Sequence, residues 1–209
     1  MGAAPFGLTT RERARLRALS TPERIQRFLD DLDYDVAGKH CRSPRRVLRE
    51  GRVQCLDSAI FGAAALRVQG RPPLILDLEA DRDDDHVIAV YRRNGCWGAV
   101  GRSNFSGLRW REPVFRTVRD LALSYVESYF NLRREKTLRR YSRPVSLARF
   151  DRRAWMTTDD DLWYVAFHLV DVRHYRLLTA AQEKALAAVD RRTFAAGLVG
   201  RALREQAGG

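Results

Sequence analysis

The chain has 209 residues, 45% hydrophobic and 31% charged, and its 38 Lys and Arg against 26 Asp and Glu give a formal net charge of +12. That apolar content excludes wholesale disorder, which needs low hydrophobicity as well as high charge, and the length suits one domain over residues 1–209 with a buried core. Only Lys39, Lys136 and Lys184 are lysines, so 35 of the basic residues are Arg; GC-rich codons, shared by the abundant Ala, explain that excess better than phosphate binding does, and nucleic acid is the less favoured partner.

The N-terminal region, residues 1–50, reads as helical. Its first ten residues lack a basic, apolar leader, and no apolar run in the chain approaches the ~20 residues of a membrane span, so a cytoplasmic protein without membrane contact is expected. Thr9 with Glu12 forms a capping box that opens a short basic helix to about Leu19. Thr21-Pro22 and Ser43-Pro44 each pair an N-cap with Pro at the first helical position. Ile25, Phe28, Leu29 and Leu32 give the second helix one apolar face, and Gly51 closes the third.

Residues 51–115 form the expected core. From Cys55 to Val68 the chain is rich in helix formers and nearly uncharged, which predicts a buried central helix. Ala59, Gly62, Ala63 and Ala64 let a neighbouring element approach it closely. Three strands are then predicted: Leu74 to Leu78, His86 to Tyr91, and Cys96 to Val100. The last two are joined at Asn94-Gly95, a strong hairpin signal. The fold class is therefore α+β: a Cys-bearing helix on an antiparallel β-meander, with helical N- and C-terminal flanks.

The C-terminal region, residues 116–209, reads as a helix from Val118 to Phe130 and a basic, irregular stretch from Lys136 to Arg153. A further helix is expected within Asp159 to Val170, where Trp163, Tyr164 and Phe167 are read as core. A helix from the Thr179/Gln182 capping box runs to about Val189, and the tail from Arg201 frays.

Three cysteines, Cys41, Cys55 and Cys96, with no CxxC pair, argue for a reduced compartment and against a zinc ribbon. Cys55 stands at a helix N-terminus, where orphan N–H groups and the dipole favour a thiolate. His86 opens a strand 31 residues later, and a Cys-His pair needs a third group to orient the imidazole. A two-residue turn at Asn94-Gly95 sets His86 opposite Ser103. One bulge at Gly98 or Gly101 brings Asn104 there instead. Asn104 is the preferred orienting residue and Ser103 the alternative. The Cys55 N–H and the Gln54 side chain are candidate oxyanion donors.

The acidic stretch Asp77 to Asp85 fits no EF-hand. A frame from Asp77 puts Arg82 and Ile88, and one from Asp81 puts His86 and Arg92, where Gly and Glu are required. It is read as a solvated loop, with no metal site, whose charge favours protonated His86.

The motif Gln54-Cys55-Leu56-Asp57, the strand Asp85-His86-Val87-Ile88-Ala89-Val90, and Trp97 with Arg102-Ser103-Asn104 resemble the transglutaminase-like and papain-like cysteine hydrolase superfamily of bacterial type over residues 40 to 115. The resemblance implies Cys55 as nucleophile, His86 as general base and Asn104 as the orienting residue. It implies hydrolysis or acyl transfer at an amide bond of a peptide or small amide substrate, with no cofactor. Gly101 and Arg102 stand where transglutaminase-like proteins carry Asp, which favours hydrolysis. The alternative reading is a non-catalytic basic protein that binds nucleic acid or another anionic partner. Arg139, Arg140, Arg143, Arg149, Arg152 and Arg153, interleaved with Tyr141 and Phe150, carry that alternative.

Overall fold

In the computed structural model, which describes residues 5–201, the N-terminal helices start where their caps place them. The first, α1 (Thr10–Ala18), has the reciprocal Thr9/Glu12 box. The next, α2 (Pro22–Asp30), takes its cap from Thr21. After β1 (Asp33–Tyr34), α3 (Pro44–Glu50) is capped by Ser43 and ends on Gly51 in the left-handed conformation. Strand β2 (Arg52–Val53) pairs in parallel with β1 and leads directly into α4 (Cys55–Val68).

The hairpin region gives β3 (Leu74–Ala80), β4 (His86–Arg93), β5 (Cys96–Val100) and β6 (Arg111–Phe115). Then come α5 (Val118–Leu123), β7 (Leu138–Ser142), β8 (Val145–Ser146), α6 (Trp163–Asp171), β9 (His174–Arg176), α7 (Ala180–Ala185) and α8 (Arg191–Gly197). The fold is α+β, as the sequence indicates. The antiparallel sheet runs β6-β5-β4-β3-β7-β9, with β8 also on β3. The C-terminal region is thus helical in part and also supplies three strands. Residues 138–142, expected to be irregular, pair with β3 because its second edge would otherwise leave a row of N–H and C=O groups without partners.

Side-chain alternation divides the sheet between two cores. Ile75, Val87, Ala89 and Val100 pack with α4 and the N-terminal helices. Leu76, Leu78, Ile88, Val90 and Ala99 pack with Leu121, Tyr125 and Tyr129 on the other face. Helix α4 is buried from Leu56 to Leu66, as a helix apolar all round must be. A Cβ at Gly62 would lie 2.9 Å from Val100 Cγ2 and 3.1 Å from Ala89 Cβ, so its missing side chain sets how closely α4 approaches the sheet.

Elsewhere tertiary contacts override local signals. The helix expected to reach Phe130 stops at Leu123, and a 3-10 turn, Val126–Ser128, follows. The one expected to reach Val189 stops at Ala185, and Asp190 caps α8 instead. Phe167, read as core, is 68% exposed, whereas Trp163 and Tyr164 do pack against the α4 core. The expected fraying of the tail falls, from residue 202, outside the described residues. Among the described residues no helix is long and apolar enough to cross a membrane.

Gly62→Val is expected to destabilise the fold by about 1–3 kcal/mol through overpacking against Val100 and Ala89. Urea denaturation would read this as a lower midpoint at unchanged slope, and an unchanged midpoint would contradict the close approach.

Candidate functional site

The start of α4 is held by a buried cation. Arg42, 3% exposed, pairs with Asp35 at 2.7 Å, Glu50 at 2.7 Å and Asp57 at 3.2 Å. Asp57 is fully buried in the first turn of α4. It accepts the backbone N–H of Arg42 at 2.8 Å and that of Gln54 at 3.2 Å. One carboxylate therefore ties residue 42 to the residue before Cys55. Burial pushes the Asp57 carboxyl up to about 6, and the two N–H donors and Arg42 pull against it. These roles went unread in the sequence, although an Asp in the first turn of a nearly uncharged helix is the signal for them.

Cys55 opens α4 at one wall of a cavity of about 710 Å³. Gln54, His86, Ser103 and Asn104 line the same cavity, so every residue picked from the sequence reaches it. The Val87 and Leu56 amide groups act on the Cys55 sulfur as donors. The thiol thus lies against the backbone just beyond His86, and no hydrogen bond joins it directly to the ring.

The cavity exists because β5 leaves β4 early. Pairing runs unbroken from Arg93↔Cys96 to Ala89↔Val100, the register expected from the Asn94-Gly95 turn, and stops there. At Gly101 the strand is captured by Gln26, whose Oε1 accepts the Gly101 N–H at 3.0 Å and whose Nε2 donates to its carbonyl at 2.9 Å. Ser58 Oγ on α4 then accepts the Arg102 N–H at 2.9 Å. The expected bulge between β4 and β5 is absent. The register shift lies on the other edge, between Trp97 and Ala99 against β6, where a Cβ on Gly98 would meet Tyr91 and Arg111. Ser103 and Asn104 therefore come to the cavity on a loop rather than opposite His86. Ser103 Oγ accepts the Phe105 N–H at 3.0 Å, and the Asn104 backbone N–H serves the Tyr34 hydroxyl.

His86 is 3% exposed and shares the parity of Ile88 and Val90, so its ring enters from the face opposite α4. Its Nε2 lies 2.7 Å from the Leu108 carbonyl oxygen. A carbonyl only accepts, so Nε2 carries the hydrogen and Nδ1 holds the lone pair. The orienting part expected of Asn104 falls, at Nε2, to a backbone group. Tyr129 packs edge-on to the ring at 6.5 Å. Its hydroxyl donates to the Asp84 carbonyl at 2.7 Å, which fixes the acidic loop beside His86.

Burial governs both titrations. It pushes the Cys55 thiol up to about 11, with Asp57 and Asp77 adding to the rise, against the lowering expected from the helix N-terminus. It also pulls His86 down to about 4, with the Arg111 charge acting the same way, against the protonation expected from the acidic loop. The resting pair is neutral thiol and neutral imidazole. Desolvation outweighs the helix dipole because the partial charge at the helix end, about half a unit, does not replace the hydration that burial takes from a thiolate.

Asp77 is not in the loop at all. It is buried on β3 and pairs with His174 at 2.9 Å, while Asp85 accepts the Ala80 N–H at 2.8 Å. Gln54, the side-chain oxyanion candidate, donates its Nε2 to the His40 carbonyl at 2.8 Å. Cys41 is buried in the core and Cys96 is half-buried beside its turn. Among the described residues no group of His, Cys, Asp or Glu is arranged to hold a metal ion.

Arg42→Met, which strands Asp35 and Asp57, is expected to cost about 3–5 kcal/mol in urea unfolding, and adding Asp57→Asn should recover part of the loss. His86 has a depressed folded pKa, so its contribution is complete above about pH 6.5 and is lost as pH falls toward 4, by up to about 3 kcal/mol. His86→Gln should flatten stability in that window; comparing the two proteins cancels the opposite slope of Asp57. Identical pH profiles would show that His86 titrates normally. No protein-family model matches this chain, and no curated protein matches it.

Proposed function

We propose that the protein is a cysteine-dependent hydrolase or acyl transferase of the transglutaminase-like and papain-like type, acting on an amide bond through a thioester. The observation that supports this is one cavity lined by Cys55 at a helix start and by His86, whose Nε2–H is held by Leu108 so that Nδ1 is the basic nitrogen. Because both groups rest neutral, attack and proton transfer are coupled. Cys55 sulfur bonds to the substrate carbonyl carbon as its proton passes to His86 Nδ1. The oxyanion meets the orphan N–H groups at the start of α4, the Cys55 N–H among them. The tetrahedral species collapses, the amine leaves with the proton from His86, and a thioester remains. Water or a second amine, deprotonated by His86, then attacks the thioester and restores the thiol. Asn104 and Ser103 shape the loop wall of the cavity.

The test is acylation by an activated ester such as p-nitrophenyl acetate, followed by intact-mass analysis. One acyl group on Cys55 is expected, absent in Cys55→Ala and formed about 10²–10⁴-fold more slowly in His86→Ala. Equal acylation of Cys55→Ala, or a rate indifferent to His86, would overturn the proposal.

A further inference from the structure

The outer face of α6 bears Phe167 and Val170, three residues apart and 68% and 75% exposed, and Tyr164, which packs partly against the core, precedes them by one turn. Cations surround these side chains along the helix. Arg153 lies over the Tyr164 ring at 4.4 Å. Arg149 donates to His168 Nε2 at 2.6 Å beside Phe167. At the end of the helix, Arg143 donates its backbone N–H to the Arg173 carbonyl, and Arg173 stacks over Tyr175. These four arginines are all exposed, and among the described residues none is paired with a carboxylate. Asp171 is the carboxylate acting on His168, against Arg149 and Arg143.

Two protruding apolar side chains ringed by guanidinium groups without carboxylate partners would leave the apolar pair in water unless a partner supplies both anions and an apolar layer. We propose that this face of α6 docks on the surface of an anionic lipid bilayer, with the arginines on lipid phosphates and Phe167 and Val170 at the acyl boundary. The face is convex helix, which suits a flat surface. Single-stranded nucleic acid stacks successive bases on several aromatic faces along a basic groove, whereas this face offers one free ring, Phe167, beside the aliphatic Val170; Phe150 packs on Tyr164 and His168, and Tyr141 on Tyr175. The docking is peripheral and independent of the Cys55 chemistry.

The test is cosedimentation of the full chain with equimolar phosphatidylglycerol–phosphatidylcholine vesicles and with phosphatidylcholine vesicles alone, at about 0.1 M salt. Binding to the anionic vesicles only is expected. Arg149→Gln/Arg153→Gln/Arg173→Gln should weaken it roughly 100-fold, at about fivefold per arginine, and Phe167→Ser/Val170→Ser at least about tenfold. All changed side chains are exposed, and unchanged melting curves confirm the fold. Failure to bind, equal binding to both vesicles, or anionic binding indifferent to Phe167 and Val170 would overturn the proposal. Tighter binding to a single-stranded oligonucleotide than to the anionic vesicles would overturn it in favour of nucleic acid.

Discussion

The arrangement around Cys55 depends on the enclosure of one guanidinium. Arg42 is almost without solvent and faces Asp35, Glu50 and Asp57, which come from the segment after β1, the end of α3 and the start of α4. Desolvating these charges is costly, and mutual attraction offsets the cost only while all the partners stay in register. The cluster therefore transmits position: a shift of α4 along its axis would break both Asp57 contacts to Arg42, one to its backbone N–H and one to its guanidinium, while the Gln54 cap moves with the helix. Cys55, next in the chain, inherits that position.

A second constraint acts on the sheet. Gln26 and Ser58 satisfy the backbone of Gly101 and Arg102 that β4 would otherwise have satisfied, so β5 departs three residues before it would cover His86. The departure opens the edge where the Val87 amide faces the Cys55 sulfur, and it carries Ser103 and Asn104 to the rim. Two helices thus take backbone hydrogen bonds from a strand, and the space released is the cavity. The burial that shapes it also keeps Cys55 and His86 neutral.

Much of this was legible in the residues. The caps at Thr9, Thr21, Ser43 and Thr179 are local chemistry, settled within four residues, and each is present. The composition of α4 dictated its burial, and Asn94-Gly95 dictated the hairpin register. The strand at residues 138–142 was not legible, because its sequence lies in a basic stretch without a regular apolar alternation and its pairing with β3 is decided by an open edge 61 residues away at Glu79↔Arg140. Phe167 was misread because helical spacing marks a face without saying whether anything covers it.

By itself the sequence determined the capped N-terminal helices, the buried α4 and the β4–β5 hairpin, and which reactive side chains stand at their ends: Cys55 at a helix start, His86 at a strand start, and Ser103 and Asn104 just past a hairpin. Those features follow from short-range propensity and from the alternation of polar and apolar residues. Only the tertiary structure decided that Leu108 rather than Asn104 holds Nε2 of the imidazole, and that burial overrides the helix dipole at Cys55. It also decided that four of the 35 arginines, Arg143, Arg149, Arg153 and Arg173, lie along α6 and its end. Desolvation and hydrogen-bond competition depend on what lies across space, and spacing along the chain does not encode that.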